Sequence, residues 1–287
     1  MALFQAFDIS ASGMTAERFR MDTIAENIAD YPSTENFGDP VENFYAEDIY
    51  VGYRYFETFA KDKVKYPFGF GLSYTNFQTE SFDLAVQGTQ VTAIVKVTNV
   101  GGVPGRETMQ LYLEAPQGKL GKPLRQLAAY AKTETLKPGE TEELILKADL
   151  TELASYDDSG VTGHKSCYVL EAGDYFFYVG TDVRSAKEIG KVTLAELQVT
   201  QTVTEALAPV QTFKRMKPYF FEESGHAAVN WEKVPLRTID LAERILRERP
   251  TESEYVGDQG WKLSDVKDGK ITLEQFLTQL SDEDLIC

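Results

Sequence analysis

From about Ser81 to Thr200, apolar and polar residues alternate in short runs broken by turn residues, and this period of two restricts the fold more than any other feature. Val91, Ala93, Val95 and Val97 alternate with polar neighbours before Asn99-Val100-Gly101-Gly102, and Met109, Leu111 and Leu113 repeat the pattern beyond it. A helix would scatter such residues around its circumference, whereas a strand sets them on one face. Leu136-Lys137-Pro138-Gly139-Glu140 reads as a turn, with Pro presetting φ and Gly free to take φ > 0, and it leads into Glu143-Leu144-Ile145-Leu146-Lys147. Glu171-Ala172-Gly173-Asp174 precedes Tyr175 to Gly180, and Lys191 to Thr200 supplies a last alternating run. About seven short strands separated by such turns predict a mainly β chain built on an antiparallel β-sandwich.

The flanks read differently. Residues 1–29 predict one amphipathic helix, with Met14, Met21 and Ile28 recurring at sevens and Ser10 or Ser12 as its cap. The Pro-, Asn- and Gly-rich stretch after Asp30 predicts a loop, and Ile49 to Phe59 a strand. Beyond Thr202 the alternation fades, so Ala206 to Pro235 is expected to be a linker. Thr238 to Arg249 predicts a helix stopped by Pro250. A second is expected from Thr272, where Thr272 and Gln275 form a capping box before Leu273, Phe276, Leu277 and Leu280, and Ser281-Asp282-Glu283-Asp284 reads as the cap of another.

Composition narrows the partners. The 287 residues carry 45 acidic against 29 basic side chains, a formal charge of -16, which repels polyanions and disfavours nucleic acid and acidic membrane. A neutral ligand such as a carbohydrate fits better. Two cysteines, Cys167 and Cys287, are too few for a disulfide framework, and neither a signal peptide nor a membrane-length apolar run is visible, so a cytoplasmic location is expected.

The chemically suggestive residues fall short of a site. Ser264 to Gln275 has the Asp-Gly and apolar residue of a calcium loop, but Ser264, Val266 and Gln275 occupy positions one, three and twelve, where carboxylates are needed. His164 and Cys167 stand three apart, yet only His226 and Cys287 could complete a metal set, so a loop histidine and a half-buried thiol are expected. The pairs Glu47-Asp48 and Asp157-Asp158 are expected to be solvated, not to converge as an acid/base couple. Trp231 and Trp261 could stack on sugars but are expected to bury against a neighbouring domain. No phosphate loop or nucleophile elbow is present, so no catalytic, cofactor-binding or metal-binding residue is assigned.

Asp48-Ile49-Tyr50-Val51-Gly52-Tyr53-Arg54-Tyr55-Phe56, followed by Tyr66-Pro67-Phe68-Gly69-Phe70-Gly71-Leu72-Ser73-Tyr74-Thr75-Asn76-Phe77, closely resembles glycoside hydrolase family 3, the β-glucosidase-like enzymes. In that family these segments form the junction between an α/β sandwich domain and a fibronectin type III-like domain. Glu107 to Leu113, Leu136 to Thr141 and Gly173-Asp174-Tyr175 match the latter. Leu207 to Val210, Phe213 to Met216 and Thr272 to Leu285 resemble the connector into the catalytic barrel of permuted members. The resemblance implies residues 30–74 as loop and junction strand, 75–202 as the fibronectin type III-like sandwich, and 203–287 as connector. Phe68, Phe70 and Tyr74 would then pack against a neighbouring domain, with Gly69 and Gly71 allowing tight turns.

Family members are retaining β-glycosidases that use an Asp nucleophile on the barrel and an acid/base Glu from the α/β sandwich domain. Neither position is matched here, and Ser264-Asp265-Val266 departs from the Ser-Asp-Trp nucleophile motif. The chain is therefore expected to be a non-catalytic fragment whose partners are the missing barrel and α/β sandwich domain. Leu3 to Arg18 and Arg20 to Ala29 resemble instead the amino terminus of a flagellar basal-body rod protein, an expectation confined to residues 1–29. Two rival readings stand beside it: a rod-associated protein, which that resemblance raises, and a carbohydrate-binding β-sandwich, which would need an exposed aromatic row on the sandwich.

Overall fold

The computed structural model describes residues 45–220, 227–249 and 254–286. The expected helix over 1–29 and the loop up to residue 44 lie outside these, as do His226, Pro250 and Cys287. The chain divides into two units after Arg237.

The first unit is built on two facing antiparallel sheets. One has the order β1-β2-β5, from β1 (Phe77–Gln87), β2 (Gln90–Asn99) and β5 (Thr141–Asp149); the other has the order β4-β3-β8-β9, from β3 (Thr108–Glu114), β4 (Gln126–Lys132), β8 (Gly173–Gly180) and β9 (Lys187–Leu194). A small third sheet joins β10 (Gln198–Thr202), β7 (Cys167–Leu170) and β6 (Ser155–Asp157). The period of two in the sequence becomes burial: Val91, Ala93, Val95 and Val97 of β2 and Leu144, Leu146 and Ala148 of β5 share one core with Met109, Leu111 and Leu113 of β3 and Tyr175, Phe177 and Val179 of β8. Each fully buried aliphatic or aromatic side chain contributes about 1.5–3 kcal/mol, so this interface dominates the unit's stability.

Two turns are tied by one amide. Asn99 is fully buried at the end of β2; its Nδ2 donates to the carbonyls of Val103 and Leu136, both at 2.8 Å, and its Oδ1 accepts from Thr75 Oγ1 at 2.7 Å and Gly101 N–H at 3.0 Å. Every hydrogen-bonding position of the amide is used. The Pro138-Gly139 turn forms as expected, with Gly139 at φ 82° and Glu140 N–H donating to Lys137 O at 2.9 Å.

Ile49 to Phe59 is not a strand. Tyr53–Phe59 forms a helix, α1, that buries Tyr55, Phe56 and Phe59. Its aromatic composition favours a strand, but burial at i, i+1 and i+4 is helical and is imposed by a distant partner. That partner lies in the stretch expected to be a linker: β11 (Lys214–Phe220) and β12 (Ala227–Lys233) form an antiparallel ribbon, whose Met216 and Ala227 enclose a second small core with Tyr50, Tyr55, Phe56, Phe59 and Val64. Pro218 inside β11 argues against a strand from sequence; in a two-stranded ribbon it is accommodated opposite Val229. The helix is fixed to the sandwich through side chains: Tyr53 Oη accepts from Leu127 N–H at 2.7 Å, Thr58 Oγ1 from Leu124 N–H at 3.0 Å, and buried Glu57 pairs with Arg184 at 2.9 Å.

Among its described residues the second unit has four short helices: α2 (Leu241–Glu248), α3 (Leu263–Lys267), α4 (Leu273–Leu277) and α5 (Asp282–Ile286). Asp240 caps α2, accepting from the N–H groups of Ala242 and Glu243 at 2.9 and 3.1 Å. The expected capping box opens α4, with Gln275 N–H to Thr272 Oγ1 at 3.1 Å and Thr272 N–H to Gln275 Oε1 at 3.0 Å. Ser281 and Asp284 repeat that reciprocity at the start of α5. Buried Gln279 ties the unit together by bonding both the N–H and the carbonyl of Trp261.

Candidate functional site

Two surfaces of the first unit present chemistry. One is the Tyr66 to Phe77 segment. Gly69 has φ 90°, and a Cβ placed there would lie 2.6 Å from Gln110 Nε2, 2.8 Å from Thr181 O and 2.9 Å from Asp182 Cα, so the backbone is pressed onto the β8–β9 turn where only glycine fits. Gly71 has no such constraint, its nearest neighbour being Gly69 O at 4.0 Å; the expectation of two required glycines holds for Gly69 alone. Phe68 stacks on Tyr53 with centroids 4.4 Å apart, and Tyr66 lies against Phe70 at 4.9 Å. Within this unit, however, Phe68, Phe70, Leu72 and Tyr74 remain 43, 46, 71 and 68% exposed, an apolar face held on a fixed backbone.

The other surface is a cleft of about 500 Å³ lined by the start of α1, the loop before β4, β6 and β7, and the β11–β12 ribbon. Its wall is organised by Arg215. The guanidinium grips Asp158 through two bonds, of 2.6 and 3.0 Å, reaches Glu232 at 2.8 Å and lies 3.4 Å from Asp48; Lys217 adds a 2.9 Å pair with Glu232. Burial raises the Asp48 carboxyl above its usual value, against the pull of Arg215. Burial also opposes ionisation of Glu232, but hydrogen bonds from Lys217 and Arg215 outweigh it and hold that carboxyl low. Three acids share this guanidinium, with Lys217 as a second cation, so each carboxyl is engaged in an ion pair. A retaining glycosidase needs instead two carboxyls about 5 Å apart with the sugar between them, and here Arg215 fills the space.

The acidic pairs thus do more than face solvent as their sequence suggested, although the Asp48 side chain stays 35% exposed. Asp48 and Asp158 converge on Arg215, which a linker reading of residues 206–235 could not reveal. Asp157 is fully buried and folds its own loop: Oδ1 accepts from the N–H groups of Ser159, Gly160 and Val161, and Oδ2 from the N–H and hydroxyl of Thr162. Burial works to raise its carboxyl, yet these donors win and hold it below the usual carboxylate range. Asp157→Ala is expected to cost about 3 kcal/mol, the order of a lost set of charged hydrogen bonds. The stabilisation is complete above the unfolded-chain value near 3.9 and disappears as pH falls through the lower folded-state value. Urea midpoints measured from pH 7 to 2.5 should therefore fall more steeply for the wild type than for Asp157→Asn; parallel slopes would remove the carboxylate's charge from this account.

The remaining candidates are dispersed. His164 is an exposed loop residue, while Cys167 is buried, with its Sγ 3.6 Å from Lys165 O and Thr202 Oγ1. In the calcium-like loop, Asp265 accepts from Lys262 N–H at 3.0 Å and pairs with Lys270 at 2.8 Å, and Gly269 turns the chain at φ 70°. Trp231 does not bury within its unit: it sits 47% exposed on β12. Trp261 is half-buried beside Gln279. A buried pair went unnoticed in the sequence: Lys122 meets Glu171, which also accepts from Lys119 N–H at 2.8 Å and Leu120 N–H at 3.2 Å. Burial opposes its ionisation, but these donors hold the Glu171 carboxyl low. Gly118 leaves room for it, since a Cβ there would lie 2.4 Å from Oε1.

Residues 107–183, running from the start of β3 to just beyond β8, match the fibronectin type III-like domain. This region is a fibronectin type III-like domain. The chain is 48% identical over 267 residues to a β-glucosidase of Ruminococcus albus, covering 93% of this chain and 27% of that protein, and 38% identical over 303 residues to β-glucosidase A of Butyrivibrio fibrisolvens, covering 92% and 36%. Among solved structures, a β-glucosidase from Paenibacillus barengoltzii superposes with a TM-score of 0.83 at 53% identity, over 90% of this chain and 29% of that one. The chain is homologous to part of the family 3 β-glucosidases. It spans about a third or less of the length of these relatives, so most of each enzyme lies outside the matched segment. They lend no support to the flagellar-rod resemblance of residues 1–29, which also fall outside the described residues.

Proposed function

We propose that this segment serves as a packing and positioning part of a family 3 β-glucosidase that acts on terminal β-linked sugars, and that the residues performing the hydrolysis belong to the rest of such an enzyme. The observation that carries this reading is the fate of the acids in the cleft: Asp48, Asp158 and Glu232 are all held on Arg215, and among the described residues no other carboxylate lines it. The homology to a limited portion of much longer β-glucosidases supports the same reading. The exposed face of Phe68, Phe70, Leu72 and Tyr74 is then the seam against which another domain of the enzyme packs. Its fixed backbone gives that neighbour a preformed apolar surface.

The test is direct. The purified chain, shown to be folded by circular dichroism, is expected to release no chromophore from an aryl β-glucoside above the buffer rate. Turnover at an ordinary enzymatic rate, roughly 1 per second or faster, that is lost on Glu232→Gln would place catalysis in the cleft and overturn the proposal.

A further inference from the structure

The charge of the cleft runs against the charge of the chain. The sequence has 45 acidic and 29 basic residues, yet the cleft is lined by six lysines and arginines against three aspartates and glutamates. Those three acids are committed to Arg215 and Lys217. Lys122 is committed to Glu171, behind the wall. Arg54, Lys119 and Lys233 are left, and among the described residues no carboxylate lies within ion-pair distance of any of them. Even counting Glu171, cations exceed acids here by two (six against four).

In a chain with so large an acidic excess, random placement would pair these cations with nearby carboxylates. A low-dielectric concavity instead focuses their field on the space between them. Tyr156 and Tyr168 line the same cleft with ring centroids 5.2 Å apart, each residue 38% exposed. Ser155 and Ser159 add hydroxyls. A volume of about 500 Å³ is that of a small-molecule site and too small for a protein domain.

We propose that this cleft binds a small organic anion, a phosphate- or carboxylate-bearing molecule with a ring-shaped body. Arg54, Lys119 and Lys233 take the anionic group, and the ring lies against Tyr156 and Tyr168. No bond is made or broken, and the site is independent of the hydrolytic question: absence of turnover by the chain leaves it untouched.

Calorimetric titration of the full chain with glucose 6-phosphate, glucuronate, inorganic phosphate and glucose tests it. One or both of the sugar anions should bind at least tenfold tighter than glucose, and which of the two does so assigns phosphate or carboxylate. Binding should weaken steeply as sodium chloride rises from 50 to 500 mM, roughly in proportion to screening. Lys119→Glu with Lys233→Glu, both exposed lysines whose replacement leaves the core intact, should lower the affinity at least tenfold, and Lys119→Arg with Lys233→Arg should retain it. Absence of binding by both sugar anions, affinity for glucose equal to theirs, or affinity unchanged in the Lys→Glu double variant with an unaltered urea midpoint would each overturn the proposal. Inorganic phosphate binding as tightly as glucose 6-phosphate would remove the aromatic wall from it.

Discussion

Glu171→Ala is expected to lower the free energy of unfolding by about 3–5 kcal/mol, the cost of removing one partner from a buried ion pair. Three donors converge on this carboxylate: the Lys122 ammonium and the N–H groups of Lys119 and Leu120. Alanine leaves the ammonium, in a residue only 4% exposed, without its charge partner and strips acceptors from two backbone groups. Within the same loop Lys122 Nζ also donates to Leu120 O at 3.2 Å, and Gln117 bonds both the N–H and the carbonyl of Lys122 at 3.2 and 2.9 Å. A urea titration should show a lower midpoint at an unchanged slope. The double variant Glu171→Leu, Lys122→Met should recover a large part of the loss, because an apolar pair carries no desolvation cost. If the single variant is as stable as the wild type, the pair does not organise this loop.

Gly69→Ala should cost about 3 kcal/mol, combining roughly 1–2 kcal/mol for an L-residue at positive φ with about 1–3 kcal/mol for overpacking. The new Cβ would meet backbone at Thr181 and Asp182 and the amide of Gln110, and Gln110 is itself held by Thr181 O at 2.7 Å and by the Tyr112 hydroxyl. Backbone cannot swing aside as a flexible side chain would. Gly71→Ala is the internal control: a methyl there has open space, and its effect should stay within about 0.5 kcal/mol. Equal losses at the two positions, read from thermal unfolding, would show that the backbone contact at Gly69 is not what fixes the segment.

The contrast between these two glycines shows where sequence reasoning reaches and where it stops. Both stand in the same motif and look alike; the positive φ of Gly69 and the approach of the β8–β9 turn there distinguish them. The sandwich was legible because its signal is local and repeated: Val91 to Val97 and Met109 to Leu113 alternate, and Pro138-Gly139 marks a turn. The caps at Thr272 and Ser281 were legible for the same reason, each being complete within four residues. What failed depended on distant partners. Tyr53 to Phe59 is aromatic enough to suggest a strand, and becomes a helix because the ribbon at Met216 and Ala227 offers it a groove-like apolar partner. The ribbon was hidden in turn by Pro218. With the ribbon unread, Arg215 had no place, and Asp48 and Asp158 were left to look like solvent-facing acids. Glu171 reads from sequence as part of a turn because nothing local pairs it with Lys122, whose position beside it is set only when the 115–124 loop folds over β7.

The single amide of Asn99 joins parts of the unit that lie far apart in sequence. Through Thr75 it holds the end of the exposed aromatic face, and through Val103 and Leu136 it holds two turns of the sandwich. One side chain therefore couples the setting of that face to the closure of both turns, so Asn99→Ala is expected to loosen the three together.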